Sequence, residues 1–538
     1  MALPKRRARH PSHDRRRIRA GWAARVLVPA LVLVLGLLAA PSASAAVACS
    51  FDAGTGVASI TFADGDDITI VRAGNDILVN GVTCSGATVS TTETIWILES
   101  GPGAEDLASL TIDMSGGPFV PGKTDEGDGS SEIEFLTGDQ DLDADRMTMG
   151  GVSIVGTPGN DTILIGVIAD GGYSPIDLNG DEETLDWDIP GFGVDGADLD
   201  TPPAVDGGAG DDDLRAGGHS PGAAGSSLML RGGAGDDTLM GGDLPDQIDG
   251  GPGTDTIATV LEAWIDLSSG VATTKGGGGA SDAVSGVENI TGSEGRDFLT
   301  GDDGPNRIDG AGGNSDVIAG GGGDDQLIGG DGTIDTVNFS GAATGVVVDV
   351  VQGTATGEGN DTIEGIEWVV GSPYDDHVIS APWVLWVHAG DGNDVVHPVA
   401  LNWVYGEAGV DTLDLSAVPG PAYAALTSGQ LKIDGQSAGA EGFENVIGSR
   451  FADDILGTTA PNRIKGGHGA DVVYGSGGED VLLGKRGADT LDGAEGRDEV
   501  YGGRGNDRIS GGRGVDTCFG GPGEDILDLC EILKRPAE

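Results

Sequence analysis

The 538-residue chain is poor in the residues that build a large conventional core. Phe, Trp and Tyr together make up only 4% of it, and after residue 45 no apolar stretch is long enough to span a membrane. Cations are also scarce, because 29 Lys and Arg stand against 87 Asp and Glu, a net charge of −58. These deficits argue against a large globular core, a membrane-inserting toxin and a nucleic-acid-binding protein.

A convincing catalytic constellation is also missing from the sequence. The zinc-protease pattern H-E-x-x-H is absent, and no histidine lies between residues 46 and 206. Residues 117–124 fit the P-loop string, and residues 218–222 and 435–439 fit G-x-S-x-G, but none has the strand–turn–helix setting that these motifs need. Residues 177–181 begin like an EF-hand loop, but Glu182 replaces its required Gly, which leaves at most a stray calcium contact. We therefore predict that the chain is not an enzyme.

Most cations that the chain does have are concentrated at its start. Residues 1–45 hold nine of the 29 basic side chains and a single acid, so 20 basic and 86 acidic residues remain. The apolar run 26–38 follows the basic stretch, and an A-x-A cleavage pattern ends at Ala45. We predict a signal peptide over 1–45 and an extracellular protein, either secreted or associated with the cell surface. Arg15, Arg16 and Arg17 leave both general and twin-arginine export open.

Only four cysteines occur, and all follow the predicted cleavage site: Cys49, Cys84, Cys518 and Cys530. An even number in an exported chain predicts two disulfide bonds, Cys49–Cys84 and Cys518–Cys530. Two alternatives stay open at this point: Cys49 as a lipid-anchor cysteine, and Cys518 and Cys530 as buried free thiols.

What the chain has in excess is glycine, 99 residues against a usual share of about 7%. The glycines recur in a nine-residue unit, Gly-Gly-x-Gly-x-Asp-x-U-x, in which U is apolar. Strict copies of this unit begin at Gly207, Gly232, Gly250, Gly320, Gly466, Gly502, Gly511 and Gly520. Looser copies fill the register, and units run without a gap from Gly448 to Asp528.

A longer period overlies the nonapeptides. Residues 287–293 recur in related form at 366–372 and 443–449, each after an Asp-Thr pair and a stretch of alternating apolar residues. We interpret these as super-units of β-strands followed by glycine–aspartate turns. The predicted organisation is 1–45 signal peptide, 46–155 N-terminal β-rich region, 156–258 first repeat block with acidic insertions, 259–447 super-units, 448–528 tandem β-roll and 529–538 C-terminal cap.

The spacing within the unit points to calcium. Glycines at positions 1, 2 and 4 permit the positive φ angles of a tight turn with inward carbonyl oxygens, and Asp at position 6 adds a carboxylate. Ca²⁺ prefers six to eight such oxygens, whereas Zn²⁺ would call for His or Cys. The x-U-x tripeptide predicts a short strand with U pointing inward. In the tandem block these residues are Ile464, Val473, Leu482, Leu491, Val500, Ile509, Cys518 and Leu527.

On these motifs the chain resembles the RTX, or hemolysin-type, calcium-binding repeat family over much of residues 156–528. The resemblance implies that two units form one coil and that Ca²⁺ lies between turns 18 residues apart, as for Asp471 and Asp489. Asn462 replaces Asp in one unit, which predicts a weaker site there. The metal ligands that the resemblance implies are Asp212, Asp237, Asp246, Asp255, Asp297, Asp325, Asp453, Asp471, Asp480, Asp489, Asp498, Asp507, Asp516 and Asp525.

The predicted fold is all-β: an interrupted right-handed parallel β-roll, or nonapeptide solenoid, with an N-terminal β-rich region. The predicted function is binding of several calcium ions by a secreted or cell-surface structural or adhesive protein, with cell-envelope or extracellular-matrix components as further partners. The alternative is a secreted hydrolase or toxin whose repeats serve folding and export. Because stacked carboxylates repel, we expect the roll to fold only with Ca²⁺ bound.

Overall fold

The computed structural model describes residues 47–113 with short gaps, separate strands between 134 and 190, residues 204–216, and residues 227–533 except 243, 276–280 and 400–401. The predicted signal peptide, the P-loop-like string at 117–124 and the G-x-S-x-G string at 218–222 lie outside these residues. The EF-hand-like start at 177–181 lies outside them too, except Asp177, the last residue of a strand.

Short strands separated by tight turns make up almost the whole described chain. They assemble into one 25-stranded and one 26-stranded sheet, with a two-stranded and a three-stranded sheet along the turns. The described part contains a single 3₁₀ helix, Leu426–Ser428, and no helix long and apolar enough to cross a membrane. This architecture confirms the predicted all-β parallel roll.

The strands of the N-terminal half carry the roll from residue 48 to residue 258. They are Ala48–Asp52, Val57–Phe62, Asp66–Ala73, Asp76–Val79, Val82–Thr88, Thr94–Glu99, Asp106–Asp113, Glu134–Thr137, Thr148–Met149, Val152–Val155, Thr162–Ile165, Tyr173–Asp177, Trp187–Pro190, Ala204–Ala209, Asp213–Ala216, Met229–Ala234, Thr238–Met240, Gln247–Asp249 and Thr256–Ala258.

The strands of the super-units follow. They are Ala263–Asp266, Val271–Thr274, Ser281–Ser285, Asn289–Thr291, Phe298–Thr300, Arg307–Asp309, Val317–Ala319, Gln326–Ile328, Thr336–Asn338, Val347–Asp349, Thr354–Thr356, Asn360–Glu364, Trp368–Val370, His377–Ile379, Trp386–His388, Asp391–Gly392, Val395–His397, Trp403–Tyr405, Ala408–Gly409, Thr412–Asp414, Ala422–Ala425, Gln430–Ile433, Gln436–Glu441 and Asn445–Ile447.

The tandem block contributes the last strands. They are Asp454–Leu456, Arg463–His468, Val472–Tyr474, Gly477–Gly478, Val481–Arg486, Thr490–Asp492, Glu495–Gly496, Glu499–Arg504, Arg508–Ser510, Arg513–Gly514, Thr517–Phe519, Ile526–Asp528 and Ile532–Leu533.

Successive nonapeptides of the tandem block alternate between the two large sheets, so each strand pairs in parallel with the strand 18 residues later. Ile464 pairs with Leu482, and Leu482 with Val500. In the opposite sheet Val473 pairs with Leu491. Every predicted inward residue from Ile464 to Cys518 is at most 1% exposed, because the x-U-x strand turns only its central side chain into the space between the sheets.

Leu527 departs from that expectation, since its side chain is 38% exposed. It lies in the last strand of its sheet, Ile526–Asp528, which pairs with Arg508–Ser510 on one side. No further coil covers its other side within the described residues, so position U at the end of a solenoid does not guarantee burial.

Each super-unit contains one three-stranded antiparallel meander inserted into the roll. The meanders span residues 263–285, 347–364 and 422–441. Their first and last strands pair in parallel with coils of the roll. The alternating apolar residues that define the long sequence period form these meanders. The nonapeptide coils resume after each of them.

The N-terminal strands pair into the same two sheets as the repeats. Strand Val57–Phe62 pairs in parallel with Thr94–Glu99, and Val152–Val155 pairs in parallel with Ala204–Ala209. Both predicted disulfides are present: Cys49–Cys84 joins the first strands, and Cys518–Cys530 joins a buried core position to the last turn. No free cysteine remains, so the buried-thiol alternative is wrong.

Candidate metal centre in the aspartate ladders

The Asp at position 6 of each unit closes the turn just before the strand begins, and its side chain is buried. Asp471, Asp480, Asp489 and Asp498 are each only 1% exposed. Burial of a carboxylate costs several kcal/mol unless its oxygens find partners. The contacts of the two carboxylate oxygens therefore decide what these turns can hold.

The first oxygen, Oδ1, accepts a hydrogen bond from the backbone N–H of the equivalent Asp 18 residues earlier. Asp453 N–H donates to Asp471, Asp471 N–H to Asp489, and Asp489 N–H to Asp507, each at 3.0 Å. On the other edge of the roll, Asp480 N–H donates to Asp498 at 2.9 Å. These contacts form two continuous ladders and confirm the predicted 18-residue pairing. We call each position-6 residue of a ladder, with its turn, a rung.

The second oxygen, Oδ2, has no hydrogen-bond partner in many of the rungs, although it is buried. Such an atom in a native fold calls for a ligand, because an unsatisfied buried carboxylate oxygen is strongly destabilising. The rungs in this state are Asp237, Asp255, Asp316, Asp325, Asp394, Asp411, Asp471, Asp480, Asp489, Asp498, Asp507 and Asp516.

The turn glycines leave a small oxygen-lined space at this second oxygen. A Cβ added at Gly502 would contact Oδ2 of Asp507 and would lie 2.7 Å from the carbonyl oxygen of Gly520. At Gly493 the same Cβ would contact Oδ2 of Asp498 and the carbonyl oxygen of Gly511 at 2.6 Å. Glycine at position 1 thus keeps open a cradle between a carboxylate and the backbone of the next coil.

Without a bound cation these carboxyls hold protons more tightly than free Asp. Burial raises the pKa of Asp471 to about 7 and that of Asp489 to about 6, and the carboxylates of neighbouring rungs add to the effect. Burial likewise raises the pKa of Asp394 and of Asp316 to about 7. Backbone N–H donation to Oδ1 opposes the rise but does not cancel it. The ladders therefore favour either a proton or a cation at the second oxygen.

Other rungs satisfy the same oxygen with protein groups. In the Gly-Ser turns, the backbone N–H groups of Ser293 and Ser449 donate to Oδ2 of Asp297 at 2.7 Å and of Asp453 at 2.6 Å, and the hydroxyl of each serine also contacts the carboxylate. Ser372 does the same for Asp376. For Asp246 the donor is Gly242 N–H, at 2.7 Å.

Asparagine rungs have a neutral side chain whose amide donates to a backbone carbonyl. The side-chain amide of Asn462 donates to the carbonyl oxygen of Glu444 at 2.8 Å, and its Oδ1 accepts from Thr458 N–H at 2.7 Å. Asn306 makes the equivalent contact with the carbonyl of Glu288 at 2.7 Å. Both polar atoms of Asn462 are thus paired within the protein, in keeping with the weaker site expected there, and the calcium affinity of this turn stays a prediction.

Four glutamates end the ladders, and sequence reasoning did not find them. Asp255, Asp335, Asp411 and Asp516 donate their N–H groups to Glu288, Glu367, Glu444 and Glu531, at 2.9 to 3.0 Å. Three of these glutamates lie in the recurring segments 287–293, 366–372 and 443–449, which the sequence reveals as a repeat without revealing this role. Each stands directly before a strand, where a regular unit has Asp.

The structure sorts the fourteen Asp residues predicted from sequence as follows. Nine have the orphaned Oδ2: Asp237, Asp255, Asp325, Asp471, Asp480, Asp489, Asp498, Asp507 and Asp516. Asp246, Asp297 and Asp453 are satisfied by protein donors. Asp212 donates its N–H to Asp237, and Asp525, at the open end, accepts from Asp507.

Asp316, Asp394 and Asp411 belong to the orphaned set but escaped prediction. Asp-x-U-x before each strand is intact at these positions (Asp394-Val395-Val396, for example), while the glycines before it are degenerate. A search for Asp directly before one β-branched residue and one apolar residue would have found them.

A hard cation fits this arrangement. Its oxygen donors are carboxylates and backbone carbonyls, which Ca²⁺ prefers, whereas Zn²⁺ sites use imidazole or thiolate. Among the described residues, no group of three or more His, Cys, Asp or Glu side chains is placed to hold a metal ion by side chains alone. The fold and these turns together define a parallel β-roll repeat protein with oxygen-lined cation cradles between its coils.

Comparison with known families gives this class a name. The model of the RTX calcium-binding nonapeptide repeat matches residues 230–259, 282–315, 315–333, 447–482, 456–491, 474–509 and 492–527. The chain therefore carries RTX calcium-binding repeats, and repeats of this kind bind calcium ions. No curated protein matches the chain.

Proposed function

We propose that the orphaned Oδ2 atoms of the ladders are calcium ligands, and that the protein is an extracellular, non-enzymatic scaffold whose roll is clamped by Ca²⁺. The observation that carries the proposal is the regular row of buried carboxylate oxygens without a protein partner, each beside a backbone carbonyl of the next coil. When bound, Ca²⁺ would supply positive charge that offsets the repulsion between successive rungs.

An extracellular setting is supported by the two disulfides and by the calcium chemistry. Disulfides persist in oxidising compartments, and extracellular calcium modules bind at roughly 10⁻⁴–10⁻³ M, above the calcium level of the cytosol. In our proposal the basic and apolar segment of residues 1–45 directs export of the chain. The roll then folds when it is exposed to millimolar Ca²⁺.

A structural or adhesive role is supported by an aromatic column on the outside of the super-units. Trp368 pairs in register with Trp386, and Trp386 with Trp403. The Trp403 side chain is 44% exposed and that of nearby Trp383 is 53% exposed. Exposed, aligned aromatic side chains are typical of surfaces that contact another macromolecule.

The rival proposal, a hydrolase that uses the repeats only for folding and export, gains no support from the described residues. Ser437 of the G-x-S-x-G string lies in the antiparallel strand Gln436–Glu441, paired with Gln430–Ile433. A nucleophile elbow would place the serine on a sharp turn between a strand and a helix.

The test is calcium stoichiometry of the full chain by equilibrium dialysis, with a matched pair of variants. The double variant Asp480→Asn/Asp498→Asn removes two orphaned oxygens, and we expect it to bind fewer ions than the unsubstituted chain. Asp454→Asn removes an exposed carboxylate next to Asp453, and we expect it to bind the same number. Equal stoichiometry for the double variant and the unsubstituted chain would contradict the assignment of these ligands.

A further inference from the structure

One groove of this acidic protein is lined by unpaired cations. It runs along the tandem block beside strands Arg463–His468, Val481–Arg486 and Glu499–Arg504, and has a volume of about 800 Å³. Its lining contains no Asp or Glu, yet includes Arg450, Lys465, Lys485, Arg486 and Arg504. Five of the 20 basic residues outside 1–45 thus face one groove, in a chain with 87 acidic residues.

The cations stand in a row because the coils are in register. His468 pairs with Arg486, and Arg486 with Arg504, so the three side chains stack at the rung spacing of about 4.8 Å. All three are exposed. No carboxylate of the described residues forms an ion pair with any of the five Lys and Arg side chains, so their mutual repulsion is left to solvent or to a ligand.

The opposite turn edge of the same coils shows the contrast. There the equivalent positions are Gly477, Glu495 and Arg513, and Arg513 forms an ion pair with Glu495 at 2.9 Å. Arg497 on that side pairs with Glu479 at 3.4 Å. The arginines in the turns are therefore ion-paired along one edge, while those in the turns of the other edge have no carboxylate partner among the described residues.

Lys485 strengthens the case, because it occupies a turn position that favours glycine. Its φ is +77°, and its neighbours in register are Gly467 and Gly503, with φ near +109° and +108°. A side chain is unfavourable in this region of φ. The turn therefore carries an extra cation in the groove at a position where the consensus residue would be better for folding.

An apolar column forms the other wall of the groove. Leu483, Tyr501 and Phe519 lie in register and are half-buried. Tyr501 and Phe519 meet edge to face, with ring centroids 6.3 Å apart and planes at 60°. The two rings are therefore not parallel and do not form a continuous flat platform on which nucleotide bases could stack.

We propose that this groove binds an acidic polysaccharide, with uronate carboxylates on the guanidinium and ammonium row and sugar rings against the apolar column. The charge complementarity selects an anionic polymer, and guanidinium groups pair with carboxylates in a bidentate fork. A uronate polymer carries less charge per length than nucleic acid and is repelled less by a chain of charge −58. The two disulfides are typical of extracellular proteins, whose partners include such polysaccharides.

The probe is a short hyaluronan oligosaccharide, compared with its carboxyl-reduced form and with a single-stranded DNA oligomer. Binding to the full chain is measured by calorimetry in saturating Ca²⁺ and low salt, with circular dichroism confirming that the roll is folded. We expect the uronate form to bind, the reduced form to bind at least about tenfold more weakly, and added salt to weaken binding. Binding of DNA as tightly as the uronate, or equal binding of the reduced form, overturns the proposal.

Lys485→Gly is the most informative variant, because it should lower the affinity of the groove for its ligand without lowering the stability of the fold. Loss of the ammonium should weaken binding by about tenfold, while glycine at φ +77° should leave the melting temperature unchanged or raise it. Arg497→Gln removes one positive charge outside the groove and should leave affinity unchanged. Equal weakening by the two variants, or no binding by the folded unsubstituted chain, rejects the groove without touching the calcium ligands.

Discussion

The tandem block, residues 448–528, and the super-units, residues 259–447, have the same roll but hold it in different ways. In the tandem block six successive rungs from Asp471 to Asp516 carry an orphaned carboxylate oxygen. In the super-units such rungs are interrupted by Gly-Ser turns, by Asn306 and by ladder-ending glutamates, which supply protein donors or acceptors instead. In our proposal, the same turn geometry therefore has one form that depends on a cation and one that does not.

This difference suggests how folding of the roll can depend on calcium while its coils still align in the correct register. Rungs with serine or asparagine close their turns with neutral groups and need nothing from the solvent. They flank the orphaned rungs at Asn306, Ser372, Ser449 and Asn462. We infer that these rungs align the chain before the cation cradles fill, since a nucleus of satisfied turns reduces the ordering entropy that metal binding must offset.

Removal of calcium should give the largest contrast between the two regions. In excess chelator we expect backbone amides of residues 463–528 to lose protection from hydrogen exchange, because about half a dozen adjacent buried carboxylates are then unneutralised. Amides of the meanders at 347–364 and 422–441 should keep more of theirs, since no orphaned rung lies within them. Exchange followed by mass spectrometry measures both.

The control for this experiment is the same chain with Mg²⁺ in place of Ca²⁺. Mg²⁺ demands compact octahedral geometry and gives up its water reluctantly, so it should restore little protection. If the tandem block and the meanders lost protection to the same extent in chelator, the distinction between the two kinds of rung would be lost.

The sequence was sufficient for the repeat but not for this distinction. Gly and Asp at a fixed spacing predicted the turns, and the single apolar residue per unit predicted the core positions from Ile464 to Cys518, all of which are buried. The role of Glu444 could not be predicted in the same way, because it depends on Asp411, which lies 33 residues earlier in the chain. The role of Ser449 is local, since its partner Asp453 is four residues on, but it shows only once the turn places the serine against the second carboxylate oxygen. Leu527 was predicted to be buried, because nothing in the local sequence indicates that the stack of coils ends there.

A fall in pH should have the next largest effect. It should stabilise the metal-free roll but weaken calcium binding. The pKa values of Asp471, Asp480 and Asp489, raised by burial to about 7, 6 and 6, lie above that of Asp in an unfolded chain. The metal-free fold therefore binds more protons than the unfolded chain between about pH 4 and pH 7, so its stability rises as the pH falls through this range.

Calcium competes with those protons, so its apparent affinity should fall over the same pH range. Circular dichroism of the full chain in chelator, from pH 7.5 to pH 5, should show a gain in β-structure, and calcium titrations at the same pH values should show weaker binding. A metal-free chain equally unfolded at both pH values would show that protonation does not replace the cation.

Asp489→Asn should convert one cation rung into the kind found at Asn462. The new amide can donate to a backbone carbonyl, as Asn462 does to Glu444, but it is a poorer calcium ligand than a carboxylate. We expect fewer calcium ions per chain, a lower melting temperature in Ca²⁺ and a higher one in chelator. Differential scanning calorimetry in Ca²⁺ and in chelator measures the two melting temperatures. Equilibrium dialysis measures the number of calcium ions bound per chain.

The reverse substitution, Asn462→Asp, is the matched control. It removes the amide donor to Glu444 and adds a carboxylate beside Asp480, so it should lower stability in chelator and raise the calcium dependence of folding. Shifts of the same sign for the two substitutions would mean that side-chain charge at position 6 does not govern the response to calcium.

Ser449→Ala should have the smallest effect and the least dependence on calcium. The serine hydroxyl contacts Oδ1 of Asp453 at 2.8 Å and accepts from Phe451 N–H at 2.9 Å, so its loss leaves polar groups unpaired in a buried turn. A destabilisation of about 1–2 kcal/mol is expected from such a loss. Because no cation takes part, the destabilisation should be the same in Ca²⁺ as in mildly acidic chelator where the roll is folded.

The control is Ser510→Ala, whose hydroxyl makes no hydrogen bond within the described chain. This substitution should cost less than about 0.5 kcal/mol. A loss at Ser449 that appeared only when calcium was present would place this rung with the cation cradles and remove the distinction between the two kinds of rung.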